Sequence, residues 1–337
     1  MTPSPTSAAR RHLLAAGAAT LLTGVLPAAL AQSKILLRIS TPAVPDDWHA
    51  KMWTVFKDTL DKSAPGEFDV QINLNASLFK QGAEPAAMAR GNLEMTTVSA
   101  FDIAKLVPEF SVFTAGYIVR DPAHQQKIFN GAIGAEMFKT VVEKMEIVPL
   151  ATAYLGTRQI NLREARPVRV PADLMGVKLR MPGSKEWLFL GEALGVTPTP
   201  LAFSEVYLGL KTGTIDGQDN PLPTVRAAKF YEVTRQIVLT SHLVDSLFIA
   251  LSNKAMSSMT AAQRQKVKAA ADAAVTYNND NRIKEEAQLI GYFKQQGLQV
   301  TTPDVAAFRK AVQAAYLHSD YAKVWPKGLL ERINATP

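Results

Sequence analysis

The 337-residue sequence contains no cysteine. A disulfide framework, a thiol nucleophile and a thiolate metal site are therefore excluded. The five histidines are scattered along the chain, and no two stand at the spacing of metal ligands. Motifs of zinc proteases (HExxH), serine hydrolases (GxSxG), dinucleotide-binding folds (GxGxxG) and phosphate loops are also missing. These absences argue against the common enzyme classes and predict neither a metal ion nor a cofactor.

Long runs of one charge are missing too. The formal net charge is +7, but the basic residues are dispersed among Asp and Glu. Proteins that bind nucleic acid concentrate Lys and Arg on one face, which this pattern does not predict. A generally basic surface instead gives a mild attraction for small anions. The sequence therefore predicts an anionic small molecule as partner and no nucleic acid.

The N-terminal segment has the pattern of a secretory signal peptide. Arg10 and Arg11 precede an apolar, alanine-rich stretch from Leu13 to Leu30, and Ala29-Leu30-Ala31 resembles a cleavage site. The alternative is a membrane anchor, but no stop-transfer charges follow the apolar stretch. We expect residues 1–31 to be a cleaved signal peptide that directs the chain to the periplasm.

The rest of the chain alternates between strand and helix patterns. Apolar runs typical of buried strands occur at Ile35–Ser40, Asp69–Leu74, Glu146–Ala153 and Val177–Met181. Helical patterns, such as Lys185–Gly195, alternate with them. This alternation predicts an α/β fold with sheets rich in parallel strands. After Thr260, a helical pattern continues to Gln296. It predicts either one long helix or two helices with a break near Asn278-Asn279.

The run from Gly176 to Pro221 carries the most information. It holds a strand with Arg180, a short helix, the segment Ala202-Phe203-Ser204-Glu205-Val206-Tyr207-Leu208, and a polar turn Asp-Gly-Gln-Asp-Asn-Pro ending at Pro221. These motifs, in this order, resemble the solute-binding proteins of TRAP (tripartite ATP-independent periplasmic) transporters, the DctP-like family. The resemblance extends from about Ile35 to about Ile333 and is densest in this run. There, the segment Ala202–Leu208 and the polar turn are similar to the sialic-acid-binding branch of the family.

The resemblance implies a two-lobed periplasmic-binding-protein (Venus-flytrap) fold with a long helix that spans both lobes. By this analogy, lobe one comprises residues 33–155 plus 246–285, and lobe two comprises 156–245 plus 286–332. Clefts between lobes are common ligand sites. The same resemblance favours one continuous helix over two.

Arg180 is the first candidate for ligand binding. It lies near the end of a strand, on the face opposite Leu179 and Met181, and ligands of open α/β sheets lie outside the carboxyl ends of strands. The resemblance implies that its guanidinium binds the ligand carboxylate, and that Arg158 contacts or supports the same acid. Asn220 matches a position whose amide binds the ligand, and Phe203 matches an aromatic ring that lies against it.

Lobe one should supply the opposite wall. Trp48 follows the first strand, Glu84 opens a helix, and Ser99 ends a strand. The triplet Ser99-Ala100-Phe101 has no acidic residue where the sialic-acid branch has one. This departure favours an acid that is smaller or less polar than sialic acid.

Together these features predict a monomeric, exported binding protein that captures an organic acid and delivers it to the small and large membrane subunits of a TRAP permease. Two alternatives remain open at this point. One is a binding protein of another importer or of a sensor. The other is a periplasmic hydrolase or isomerase, which would be marked by chemical turnover of the acid.

Overall fold

The computed structural model describes residues 34–337, so the predicted signal peptide at 1–31 lies outside the described residues. In this part of the chain the strands are β1 (Ile35–Ser40), β2 (Phe68–Asn73), β3 (Met95–Ser99), β4 (Ile147–Leu162), β5 (Lys178–Met181), β6 (Thr197–Pro200), β7 (Gly217–Pro221), β8 (Gln236–Ser252) and β9 (Gln299–Thr301).

The α-helices of the same part are α1 (Trp48–Ser63), α2 (Glu84–Ala89), α3 (Ala100–Ala104), α4 (Pro122–Phe129), α5 (Ala132–Met145), α6 (Lys185–Ala193), α7 (Val206–Thr212), α8 (Leu222–Ala227), α9 (Asn253–Ser258), α10 (Ala261–Gln295), α11 (Val305–Leu317), α12 (Asp320–Lys323) and α13 (Leu329–Ala335). Short 3₁₀ segments occur at Pro108–Thr114, Pro171–Leu174, Phe203–Glu205 and Phe230–Val233.

The strands form one mixed sheet in which five of the eight strand pairs of the described residues are parallel, so the predicted richness in parallel strands is confirmed. The order is β2-β1-β3-β8-β4-β7-β5-β6, with β9 pairing to β8. Parallel pairs at both ends are joined through the long antiparallel pair of β4 and β8. These two strands have 16 and 17 residues. The sequence pattern predicted only Glu146–Ala153 as a strand in β4, because antiparallel pairing over this length depends on a partner far away in the sequence.

The register of the β4–β8 pair shifts at three places, including Tyr154/Gly156 and Arg158/Ile160. Gly156 lies within this irregular stretch with φ +127, and a Cβ there would approach the Cβ of Pro221 to 2.4 Å. Only glycine combines this backbone conformation with so close a neighbour. Irregularities of this kind bend a strand locally, and Leu155 and Arg158, on either side of Gly156, line a cavity.

The helix α10 is continuous over 35 residues, as predicted. Thr260 caps its N-terminus in a reciprocal capping box with Gln263. Midway, Asn278 donates to the carbonyl oxygen of Tyr154 at 3.0 Å, and Asn279 accepts from the Tyr154 N–H at 2.7 Å. These weak helix formers therefore do not break the helix, because their side chains bind the backbone of β4 at its irregular stretch.

Three apolar cores surround the sheet. One joins β1, β2, α1 and the first half of α10, and another joins α7, α8 and the second half of α10. The third and largest runs from α2 and α3 through α5 and α6 to α11. Because α10 contributes to two cores, it links the two ends of the sheet. The lobe boundaries given above stay a prediction.

The segment Asp-Gly-Gln-Asp-Asn-Pro is not the polar turn that the sequence suggests. Residues Gly217–Pro221 form strand β7, and all five are buried between β4 and β5. Buried polar groups are tolerated when they are hydrogen-bonded. Here Gln218 donates to the side chain of Asn161 at 3.1 Å, and Asp219 accepts from Arg158. The polar character of this segment therefore belongs to the interior of the protein.

Candidate binding site

A cavity lies beside the central strands of the sheet. Its wall combines residues from the loops after β1 and β2 and from α3 with residues from β4, β7, β8 and the start of α6. Of the seven residues predicted to bind ligand, five line this cavity: Arg158, Asn220, Phe203, Glu84 and Ser99. Arg180 and Trp48 do not line it.

Arg158 is buried in a network of acidic residues. Its Nε donates to Oδ2 of Asp219 at 2.6 Å, and its Nη1 donates to Oδ2 of Asp245 at 2.8 Å. The ring of Trp187 lies 4.5 Å from the guanidinium. Two carboxylates therefore already balance this cation, which favours a supporting role over a primary contact with an anionic ligand.

The pKa values of the two acidic partners of Arg158, Asp219 and Asp245, are shifted in opposite directions. Burial alone would raise the pKa of Asp219, but Arg158 and His242 outweigh it and hold the pKa below its usual range. For Asp245 burial dominates and raises the pKa to about 6, although Arg158 opposes the shift. His242 lies 3.2 Å from Asp219, yet burial lowers its pKa. Asp219 therefore stays ionised beside Arg158 at neutral pH, whereas Asp245 is ionised only when the pH lies above about 6.

Arg180 has a different environment, although it is equally buried. Its Nε donates to the carbonyl oxygen of Leu201 and its Nη2 to Oε1 of Gln81, both at 2.8 Å. Among residues 34–337, no carboxylate oxygen lies within 4.0 Å of its guanidinium. Burial lowers its pKa to about 9, so it stays a cation at neutral pH. A buried cation bound only by neutral acceptors is an incomplete anion site.

Phe203 and Asn220 lie beside these two arginines. The ring of Phe203 is 5.9 Å from the guanidinium of Arg180, and its backbone N–H donates to Gln81 at 3.0 Å. Asn220 donates to Oε1 of Gln218, and its own Oδ1 is 3.4 Å from Nη2 of Arg158. Both line the cavity, and both are already ordered by protein contacts.

Two other residues of the cavity wall, Glu84 and His49, carry polar atoms that lack a partner among the described residues. Glu84 is buried; Oε2 accepts from the N–H of Gly82 at 2.7 Å, whereas Oε1 has no partner among the described residues. Burial raises the pKa of Glu84 to about 7. Nε2 of His49 is also buried without a partner in residues 34–337, and burial lowers the pKa of this histidine to about 3. A carboxyl and a neutral imidazole are thus available to hydrogen-bond a ligand.

Ser99 is used by the protein itself. It caps α3 in a reciprocal capping box with Asp102, and its hydroxyl donates to Oδ2 of Asp102 at 2.8 Å. Asp102 lines the cavity and pairs with Lys105 at 2.8 Å. An acidic residue therefore lies on this wall, one position after the triplet Ser99-Ala100-Phe101 in which the sequence has none.

Trp48 lies away from the cavity. Its Nε1 donates to Oε2 of Glu285 on α10 at 2.6 Å, and its ring packs edge-on against Tyr277. Its two neighbours, Asp47 and His49, line the wall instead. Asp47 pairs with Arg282 of α10, which overcomes the effect of burial and lowers the pKa of Asp47. Trp48 thus fixes the loop after β1 to the long helix.

Several wall residues were not predicted. His49, Asp102, Trp187 and Asp245 are buried or half-buried residues that the topology brings together. His49 follows the predicted Trp48, and Asp102 follows the triplet Ser99-Ala100-Phe101, so these two lay beside positions that the sequence indicated. Within residues 34–337 no cluster of His, Asp or Glu has the form of a metal site, and no helix is long and apolar enough to cross a membrane.

Comparison with known proteins identifies the family. Residues 40–323 match the bacterial extracellular solute-binding protein family 7, DctP. A TRAP periplasmic solute-binding protein from Roseobacter denitrificans, solved with bound 3-deoxy-D-manno-oct-2-ulosonic acid, is 43% identical with a TM-score of 0.86, covering 90% of this chain and 100% of that one.

Two further relatives are more distant. The sialic acid-binding periplasmic protein SiaP of Vibrio cholerae serotype O1 is 30% identical over 78% of this chain and 81% of its own length. A TRAP periplasmic solute-binding protein from Roseobacter denitrificans OCh 114 with bound L-galactonate is 26% identical, with a TM-score of 0.83 and coverage of 90% and 99%. Members of the family are solute-binding proteins rather than enzymes. This two-lobed α/β chain therefore belongs to the bacterial extracellular solute-binding protein family 7, the DctP-like binding proteins of TRAP transporters.

Proposed function

We propose that this chain binds a sugar acid in the cavity, with the carboxylate on Arg180 and the hydroxyl groups against the wall formed by His49 and Glu84. The bound acid is then delivered to the small and large membrane subunits of a TRAP permease. The observation that carries the proposal is the combination of charge and unpaired polar atoms at the site. A buried cation that has no carboxylate partner in residues 34–337 lies beside the cavity, and the cavity wall carries buried polar atoms of His49 and Glu84 that these residues leave unpaired.

This combination supports a polyhydroxy monocarboxylate over a dicarboxylate. The carboxylate of a ligand gains a charge-assisted pair with Arg180, preferably with the planar guanidinium fork. Hydroxyl groups can donate to Glu84 and exchange hydrogen bonds with His49. A second carboxylate beside Glu84 could not donate such hydrogen bonds and would face a like charge once Glu84 ionises. The acids bound by the two solved relatives, an ulosonic acid and an aldonic acid, have the favoured chemistry.

Calorimetry with a matched set of ligands tests the proposal. We expect 3-deoxy-D-manno-oct-2-ulosonic acid or L-galactonate to bind. Galactitol, which keeps the hydroxyl groups and lacks the carboxylate, should fail, as should succinate, which keeps carboxylates and lacks hydroxyl groups. Tighter binding of succinate than of every sugar acid would contradict the assignment. The amide of the bound acid should also bind far more weakly than the acid, since it leaves Arg180 desolvated without an anion.

The mechanism that we propose is closure of two lobes on the ligand. An acid that contacts both walls stabilises the closed state, because only that state satisfies both ends of the molecule. Small-angle X-ray scattering with and without saturating ligand measures this change. A constant radius of gyration would exclude closure. Uptake into vesicles containing both permease subunits, dependent on added binding protein, tests the partner assignment.

We also propose that the chain is exported to the periplasm and that it releases the bound acid chemically unchanged. Sequencing the N-terminus of the exported protein should find it near residue 32. Nuclear magnetic resonance of the acid after prolonged incubation should show it unchanged. Conversion of the acid would instead indicate a periplasmic hydrolase or isomerase.

A further inference from the structure

The side-chain oxygen of Gln81 accepts hydrogen bonds from two donors of the proposed carboxylate site. This atom, Oε1, accepts from Nη2 of Arg180 at 2.8 Å and from the backbone N–H of Phe203 at 3.0 Å. Gln81 lies in the loop before α2, 99 residues from Arg180 and 122 residues from Phe203 in sequence. These are the bonds that one oxygen of a carboxylate would make, so the amide oxygen occupies the position of a carboxylate oxygen.

The position of this side chain separates Arg180 from the cavity. Gln81 and Phe203 line the wall, whereas Arg180 does not and is only 1% exposed. The remaining contact of the guanidinium, from Nε to the carbonyl oxygen of Leu201, anchors it from the other side. Nη1 has no acceptor among residues 34–337, but a ligand carboxylate that pairs with Nη1 and Nη2 together, in the bidentate geometry, must replace the Gln81 oxygen on Nη2.

The exchange is favoured by charge and permitted by the surroundings of Gln81. A guanidinium binds a carboxylate more strongly than a neutral amide, because hydrogen bonds between two charged groups are shorter and stronger. Gln81 is half-buried, and Gly82 and Ala83 after it are exposed. The hydrogen bonds that hold its side chain to the described residues are those of Oε1. Breaking these two bonds therefore frees the side chain to move aside.

We propose that Gln81 is a displaceable plug of the carboxylate site, and that the bound acid takes over its two donors, Nη2 of Arg180 and the backbone N–H of Phe203. The inference rests on the proposed function for the identity of the ligand. In this arrangement the backbone N–H of Phe203 binds the ligand carboxylate, in addition to any contact of the Phe203 ring. Because the ligand must displace Gln81, the observed affinity is lower than it would be without this side chain.

Two substitutions of opposite effect test the plug. Gln81→Ala removes the competitor, and the acid should bind about two- to tenfold more tightly, a free-energy difference of about 0.4–1.4 kcal/mol. Gln81→Glu supplies a tethered carboxylate, and binding should weaken by about a hundredfold or more, because the tether gives it a high effective concentration. The exposed Gln265→Glu adds the same charge away from the site and should change affinity by less than about twofold.

Calorimetry with 3-deoxy-D-manno-oct-2-ulosonic acid gives the readout. Equal or weaker binding by Gln81→Ala, or binding by Gln81→Glu within about threefold of the unaltered protein, overturns the plug. If the unaltered protein binds none of the tested acids, the proposed function fails instead. The plug is then decided by thermal unfolding: Gln81→Glu should raise the melting temperature with Arg180 present and should not do so in the Arg180→Ala background. Equal shifts in both backgrounds overturn it.

Discussion

Arg158 and Arg180 are both buried beside the same cavity, yet their electrostatic surroundings are opposite. Arg158 is paired with Asp219 and Asp245 and stacks on Trp187. Arg180 has only the neutral oxygens of Leu201 and Gln81 as acceptors among residues 34–337. Burial alone therefore does not identify a ligand-binding arginine.

The two environments shift the pKa values of the arginines in opposite directions. The two carboxylates outweigh burial and raise the pKa of Arg158, whereas burial dominates at Arg180 and lowers its pKa to about 9. Arg158 stabilises the folded protein by neutralising buried acids. Arg180 still lacks an anionic partner among the described residues. We expect substitutions at the first to affect folding and substitutions at the second to affect binding.

The largest effect is expected from Arg180→Ala. Losing one partner of a buried charge pair costs roughly 3–5 kcal/mol, or about a hundredfold or more in affinity. Arg180→Lys should also bind poorly, since an ammonium cannot reproduce the planar fork. Calorimetry measures the affinity, and thermal unfolding should show a folded protein in both cases. Affinity of Arg180→Ala close to that of the unaltered protein would remove the central distinction between the two arginines.

Arg158→Ala should instead destabilise the fold by roughly 3–5 kcal/mol, because Asp219 and Asp245 are left buried without their cation. Urea unfolding measures this loss. Converting both acids to asparagine in the Arg158→Met background should recover much of it, because no unpaired buried charge remains. Full stability of Arg158→Ala would mean that the ion pairs contribute little and that Arg158 is available to the ligand.

A pH-dependent effect on stability is expected at Glu84, a buried residue of the cavity wall. Its pKa of about 7 in the folded protein lies above the value of 4.5 for a free glutamate, so the folded state binds the proton more readily. The stability that Glu84 contributes is therefore present below pH 4.5 and is lost as the pH rises through 7. Relative to the unaltered protein, Glu84→Gln should gain on the order of 2–3 kcal/mol over this range. A difference that stays constant across this pH range, by urea unfolding, would contradict it.

The smallest effect on binding is expected from Trp48→Phe. Because Trp48 bonds Glu285 and does not line the cavity, affinity should stay within about twofold. Stability should fall by about 1–2 kcal/mol through the lost hydrogen bond to a charged group. A tenfold or greater loss of affinity, roughly 1.4 kcal/mol, would show that Trp48 contacts the ligand after all.

Local patterns predicted the elements whose contacts are mostly local. The strand Ile35–Ser40 has the predicted bounds, α6 begins at the predicted Lys185, and α10 begins after its Thr260 cap. In these cases, apolar periodicity and capping residues are sufficient, because the helix turn or the buried strand is specified within a few residues.

The structure differs from the sequence predictions where strands and side chains pair with residues far away in the sequence. The long strands β4 and β8 depend on each other across the chain, and β7 is a buried strand because Arg158, Asn161 and His242 satisfy its polar side chains. None of these partners is near Gly217–Pro221 in sequence. A polar segment of this kind is typical of a surface turn unless its partners are known.

By itself, the sequence determined the α/β class, the family and a short set of candidate residues, including both arginines, since these depend on residue types and on their order. Only the tertiary structure decided that Arg158 is neutralised, that Arg180 lies behind Gln81, and that His49 and Asp102 face the cavity. The physical reason is that charge compensation and desolvation depend on distances of a few ångströms between residues far apart in the chain, and only folding sets those distances.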